Sequence, residues 1–199
     1  MKIGERKGLA RVVIDPGEYY SSREPVIIST LLGSCVSVCL YEPLSKVVGM
    51  NHFLLADSHF TVSKPVLNSE GGRYGIHAME LLINDMLRLG AKRNHLQAKV
   101  FGGGNILRIY QTGRTAIGDV GATNARFVHE FLHTEKIPIQ AADLGGDYGR
   151  RIYFRSTDYA VFMRKVLQEK RMEVAHKERS YWQQRLARQS DKTETMHIW

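Results

Sequence analysis

Two residues of one apolar stretch, Cys35 and His52, could do nucleophilic chemistry together. A thiolate is the nucleophile of cysteine chemistry, and a neighbouring imidazolium lowers the thiol pKa below its ordinary value of about 8.5. The pair lies on consecutive strand-like runs, Cys35–Tyr41 and Lys46–Leu55, joined by Glu42-Pro43-Leu44-Ser45. Four-residue loops built around a type I turn commonly connect hairpins. With that loop as the turn, Tyr41 pairs with Lys46 and Cys35 lies opposite His52, with Cβ atoms about 4.5–5.5 Å apart. Cys35 also follows a tight Gly33-Ser34 turn, whose backbone N–H groups are not all used by a ladder and can face an oxyanion. A hydroxyl holding the imidazole would complete the set, and Ser29 and Thr30 on the preceding strand are the nearest candidates. A lone strand cysteine is usually a small buried hydrophobe. Cys39, which has no matching histidine in this register, is read that way.

Positioning these groups takes strands before and after them. Leu9–Ile14 is strand-like, followed by a turn at Asp15-Pro16-Gly17, and Val26-Ile27-Ile28 opens a β-branched strand that ends at Leu32–Ser34. Residues 56–73 are polar and read as loop. From Tyr74 to Leu89 the apolar residues Ile76, Met79, Leu82, Ile83 and Met86 keep helical spacing, and Gly90 closes that helix. Gln97–Phe101 is strand, then Gly102-Gly103-Gly104; residues 105–121 are weakly patterned. A second helix is predicted over Ala122–Glu135, then a strand over Ile139–Leu144 and a closing hairpin from Ile152–Arg155 and Ala160–Val166. After Gly149 there is neither Gly nor Pro, and Leu167, Val174 and Tyr181 recur every seven residues in an Arg/Lys/Glu/Gln-rich stretch. That composition and spacing predict an amphipathic helical extension. The order implies an α/β layered domain over residues 1–166 and a basic helical tail over 167–199.

The chain has 199 residues, 43% of them hydrophobic and 24% charged, which is enough apolar material for a core. No apolar run is long enough to span a membrane, and the N-terminus lacks the apolar core of a signal peptide. With no export signal, Cys35 and Cys39 are expected as free thiols in a reducing compartment, the cytoplasm. The net charge of +8 invites nucleic acid as partner. Half of that excess sits on residues 164–199, and no nucleic-acid motif is present.

Several motifs in order resemble one family. They are Thr30-Leu31-Leu32-Gly33-Ser34-Cys35-Val36-Ser37-Val38 and Gly49-Met50-Asn51-His52-Phe53-Leu54-Leu55, then Arg73-Tyr74-Gly75-Ile76-His77-Ala78-Met79-Glu80. Ala98-Lys99-Val100-Phe101-Gly102-Gly103-Gly104, Ile117-Gly118-Asp119-Val120-Gly121-Ala122-Thr123-Asn124 and Leu144-Gly145-Gly146-Asp147-Tyr148-Gly149-Arg150-Arg151-Ile152 follow. The pattern, over residues 15–166, resembles the CheD chemoreceptor glutamine deamidases. The resemblance implies Cys35 as nucleophile, His52 seventeen residues on as its partner, and a Thr six residues before the cysteine. Ser29 stands there, with Thr30 one place on. It further implies an α/β sandwich like the deamidase domain of cytotoxic necrotizing toxins, with N–H groups near Gly33 and Ser34 binding the oxyanion. The implied reaction is hydrolysis of glutamine side chains on the cytoplasmic helices of chemotaxis receptors, without metal or cofactor, and also of receptor glutamyl methyl esters. Implied partners are the receptor and the phosphatase CheC, which competes with it; a non-catalytic adaptor binding either is the alternative.

Two other signals carry less. His129-Glu130-Phe131-Leu132-His133 fits the H-E-x-x-H zinc pattern. Phe127, Val128, Phe131 and Leu132 define the buried face of that helix, however, which turns both histidines toward solvent. Gly102–Gly104 lacks the Gly-Lys-Ser/Thr continuation of a phosphate loop, so its glycines are expected to allow close backbone approach beside the site.

Overall fold

The computed structural model describes residues 1–6, 8–55, 67, 69–106, 120–166, 174, 176, 178, 180, 181, 183 and 184. The strands in chain order are β1 (Lys2–Arg6), β2 (Leu9–Val13), β3 (Tyr19–Ser22), β4 (Val26–Leu32), β5 (Val36–Glu42) and β6 (Val47–Asn51). Helix α1 (Glu70–Arg88), β7 (Gln97–Gly102), α2 (Val120–Thr134), β8 (Ile139–Leu144), β9 (Arg150–Arg155) and β10 (Val161–Lys165) complete the set. They form two mixed five-stranded sheets, ordered β1-β2-β4-β9-β10 and β3-β6-β5-β7-β8. No helix among the described residues is long and apolar enough to cross a membrane.

Strand β5 shows why the layers stack as they do. Side chains alternate across a strand, and here both faces are buried. Val36, Val38 and Leu40 join Met79, Leu82, Ile83, Phe127 and Leu132 of the two helices in one core. Cys39 and Tyr41, with Cys35 just before the strand, join Ile28 and Leu32 of β4 and Ile152 and Phe154 of β9 in a second core between the sheets. Each large apolar side chain so buried stabilises the fold by about 1.5–3 kcal/mol. The outcome is three layers, sheet on sheet on helices, as the α/β reading expects.

Three details differ from the sequence expectation. First, β1 and β3 add edge strands, β1 antiparallel to β2 and β3 antiparallel to β6. Second, α1 starts at Glu70 rather than Tyr74: Ser69 caps it by accepting from the Gly72 N–H at 2.9 Å. Gly71 and Gly72 lack side chains and so hide that first turn from a pattern of apolar spacing. Third, the β5–β6 register is displaced by two residues. Glu42 pairs with Val47, Tyr41 with Val48 and Cys39 with Met50, and an isolated bridge joins Val36 to Phe53. Tyr41 is therefore not opposite Lys46, nor Cys35 opposite His52. The turn is Pro43–Lys46, with Lys46 at φ 58° and the Glu42 carboxylate accepting from the Leu44 and Ser45 N–H groups at 2.9 and 3.0 Å. A slip of two preserves which face each side chain takes, so Cys35 and His52 still turn into the same inter-sheet space.

Candidate active site

The site lies where β4 hands over to β5. Thr30 and Ser29 are adjacent on β4 and must point to opposite faces. Thr30 shares its face with Ile28 and Leu32, toward the inter-sheet core, and Ser29 turns away. The Thr30 Oγ1 lies 2.7 Å from His52 Nδ1 and donates to the Ile14 carbonyl at 2.7 Å. A hydroxyl has one proton, so Thr30 accepts from the ring and Nδ1 carries the hydrogen. Nε2 is left as the basic nitrogen; it is buried with no hydrogen-bond partner among the described residues. Ser29 Oγ instead accepts from Arg11 Nε at 3.2 Å and donates to the Val12 carbonyl at 3.4 Å. Backbone bonds hold His52 in place, its N–H donating to the Glu18 carbonyl at 2.9 Å and its carbonyl accepting from Gly17 at 2.7 Å.

A ring nitrogen of His52, the Cys35 Sγ and a carboxylate oxygen of Glu178 lie within 4.8 Å of one another, and all three residues are buried. Burial disfavours charge. It pushes the His52 pKa down to about 3 and raises that of Cys35 well above its ordinary value, with the Glu178 charge and hydrogen bond adding to the rise. Thiol and imidazole are thus both neutral in this arrangement. Cys39, buried beyond reach of the pair, is raised by desolvation, which the Lys99 charge only partly offsets.

The Gly33-Ser34-Cys35 turn has its carbonyls tied back one by one. Gly33 O accepts from Gly104 N at 2.7 Å, Ser34 O from Asn124 Nδ2 at 2.8 Å, and Cys35 O from Gly103 N at 2.7 Å. With the carbonyls so fixed, the three N–H groups face one carboxylate, Gly33 and Cys35 on one oxygen and Ser34 on the other, an anion-binding nest. The glycine run allows this closeness: at Gly102, φ +116°, a Cβ would collide with the Cys35 carbonyl oxygen. Asn124 also accepts from Leu55 N at 2.8 Å, bridging the turn to the segment just after His52. Arg150, fully buried, pairs with Asp143 and donates to the Tyr148 and Gly145 carbonyls, bracing the loop beside Gly104.

Glu178 fills the nest. Its Oε1 accepts from Gly33 N at 2.7 Å and Cys35 N at 3.1 Å; its Oε2 accepts from Ser34 N at 2.8 Å and Ser34 Oγ at 2.6 Å. Cys35, His52 and Glu178 could resemble a metal triad by residue type. The carboxylate spends its lone pairs on four donors, however, and a cation would face three N–H groups, so the donor set suits an anion. His129 and His133 are exposed on α2, opposite the buried face that holds Phe127, Val128, Phe131 and Leu132.

Sequence reasoning missed Glu178, Asn124 and Arg150. Asn124 and Arg150 sit inside motifs already singled out. The signal for Glu178 was its place on the same helical face as Val174 and Tyr181, a carboxylate within an apolar stripe.

Fold and site together define a class: a two-sheet α/β protein that lines up a hydroxyl, an imidazole and a thiol beside an anion-binding turn. The chain belongs to the CheD family, whose model, described as CheD chemotactic sensory transduction, matches residues 54–165. That match begins just beyond His52, so the thiol–imidazole pair rests on the geometry. The chain is 46% identical over 189 residues to the "Probable chemoreceptor glutamine deamidase CheD 1" of Geobacter sulfurreducens, covering 94% of this chain and 92% of the relative. It is 48% identical over 169 residues to "Probable chemoreceptor glutamine deamidase CheD 2" of Shewanella oneidensis, covering 82% and 80%. The solved structure of Bacillus licheniformis hypothetical protein YfiH aligns over 62% of this chain and 49% of its own at 16% identity, with a TM-score of 0.33, too slight to bear on either fold or function.

Proposed function

We propose that this chain hydrolyses glutamine side-chain amides of chemotaxis receptors to glutamate and ammonia, with Cys35 as nucleophile. The observation that carries this reading is the aligned set Thr30–His52–Cys35 beside the three-donor turn. His52 Nε2 takes the thiol proton, and Sγ forms a bond to the amide carbon. The oxyanion is held by the N–H groups of Gly33 and Cys35, which point at a single oxygen, with Ser34 N–H beside them, donors fixed before the reaction begins. The C–N bond breaks as His52 gives its proton to the departing ammonia. A water, deprotonated by the same nitrogen, adds to the thioester and releases glutamate and the thiol. Thr30, bonded to Nδ1, fixes the ring and leaves Nε2 as the basic nitrogen, which makes it a positioning residue. The same acyl chemistry accepts a glutamyl methyl ester, with methanol as leaving group. No cofactor enters these steps. Residues 1–166 form the deamidase domain in this reading and 167–199 its tail, working in the cytoplasm on receptor helices, with a CheC-type phosphatase as a competitor.

The adaptor reading has one observation in its favour: Glu178 fills the turn, and burial keeps the thiol protonated. Ammonia release separates the two. Incubated with a receptor cytoplasmic fragment, the protein should convert specific glutamines, each gaining about one dalton by mass spectrometry, and Cys35→Ala should abolish the gain while folding normally. Equal conversion by Cys35→Ala would refute the thiol mechanism, and no conversion either by the unaltered chain or by Glu178→Ala, which empties the turn, would favour the adaptor.

A further inference from the structure

We propose that the C-terminal helix of this chain occupies its own acyl-binding site, with Glu178 standing where the glutamate product would sit, so that turnover requires the helix to leave. The proposal rests on the deamidase reading above. The described residues between 174 and 184 are helical, and Glu178 among them is 1% exposed.

Its carboxylate meets the donors a product carboxylate would meet. Two of them, the Gly33 and Cys35 N–H groups, converge on a single oxygen, the arrangement an oxyanion requires. The other oxygen faces the Ser34 N–H as well as its hydroxyl. An amide nitrogen there would set donor against donor, so the turn favours a glutamate over a glutamine. What is docked therefore resembles product rather than substrate.

The helix is anchored on both sides of this carboxylate. Val174, 2% exposed, packs with Ile106 against Leu31 and Val166. Tyr181 places its hydroxyl 2.7 Å from that of Tyr74, over Gly17, where any Cβ would collide with the tyrosine ring. Residues 174, 178 and 181 are spaced four and three apart, one face of a helix. Two clefts, about 200 and 310 Å³, both reach His52; Val174 and Glu178 wall the smaller and Tyr181 the larger. The two clefts share Pro16 and His52 as walls, and departure of the helix would remove a wall of each beside His52. It would also admit water and remove the Glu178 charge, the two causes that hold the thiol protonated.

A carboxylate that merely braces the turn would predict something different, and thiol alkylation tells them apart. In the full chain, Glu178→Ala should raise the rate of Cys35 alkylation by iodoacetamide at neutral pH at least tenfold, with the domain still unfolding cooperatively and its urea midpoint only modestly lowered; Cys35→Ala identifies the labelled site. Val174→Asp, which removes an anchor and leaves the carboxylate intact, should have the same effect. Both variants should release ammonia faster from a receptor fragment. Alkylation that is unchanged in both variants, or faster only with a collapse of the urea midpoint, would overturn the proposal. Faster alkylation with no ammonia from any form would leave the helix as occupant and refute the deamidase reading instead.

Discussion

At the scale of single residues, the site turns on which of two neighbouring hydroxyls reaches the imidazole. Counting from the cysteine points to Ser29, but strand alternation sends that side chain to Arg11 and leaves Thr30 on His52. The Thr30 proton is committed to the Ile14 carbonyl, and this fixes the His52 tautomer. Thr30→Val keeps shape and burial but strands the Nδ1 hydrogen without an acceptor. Orientation of a general base contributes on the order of 10²–10⁴-fold, so this variant should lower kcat by about a hundredfold with little change in KM. Ser29→Ala should stay within a few-fold of the unaltered chain. Steady-state ammonia release for the pair checks this; equal losses would mean that the hydroxyls act through packing alone. Cys35, His52 and Thr30 were legible as types and positions because strands expose their chemistry at fixed intervals. Their pairing was not, since moving the turn one residue along the chain displaces every partner by two while leaving the faces unaltered.

At the scale of elements, the decisive object is the Gly33–Cys35 turn and the three pieces of chain that pin it. Asn124 of α2 makes one of those attachments and also accepts from Leu55 N. Asn124→Ala leaves the Leu55 N–H and the Ser34 carbonyl unsatisfied in a buried place, at a cost of about 1–3 kcal/mol for each such group. The urea midpoint should fall by an amount in that range, and kcat should fall further than stability explains, because the Ser34 peptide would be free to rotate. Asn124→Asp, keeping the Leu55 acceptor but losing the donor to Ser34, should recover part of the midpoint and little of the rate. Elements of this fold were readable where one face is apolar at a clear period, as in α2 and β4. They were unreadable where the support is a side chain from far along the sequence. The edge strands β1 and β3 were unreadable for another reason, being polar or short and defined by the strands they pair with.

At the scale of the whole molecule, three buried titratable groups, His52, Cys35 and Cys39, are held neutral, and this shapes stability against pH. His52 has its pKa pushed down to about 3, against an ordinary value near 6.5. Between those values the unfolded chain binds a proton that the folded chain does not, so stability rises with pH across that window and is lost as pH falls through it. With 1.36 kcal/mol for each pH unit, the full contribution is up to roughly 4–5 kcal/mol. Cys35 and Cys39 act on the other side. Their folded pKa values are raised, so above about 8.5 the unfolded chain gives up protons that the folded chain keeps, and stability falls as pH rises. Urea midpoints should therefore pass through a maximum near neutrality and decline on both sides. His52→Gln should flatten the acid limb between about pH 3 and 6.5, whatever it does to the level. Glu178→Ala should lower the pH at which Cys35 ionises, since one of the charges opposing the thiolate is gone. In pH-dependent alkylation the titration of Cys35 should move toward neutrality in that variant, while Cys39, raised by burial and untouched by Glu178, stays unlabelled until the protein unfolds. A Cys35 titration that does not move would mean that desolvation by the inter-sheet core, not the docked helix, sets the thiol's charge.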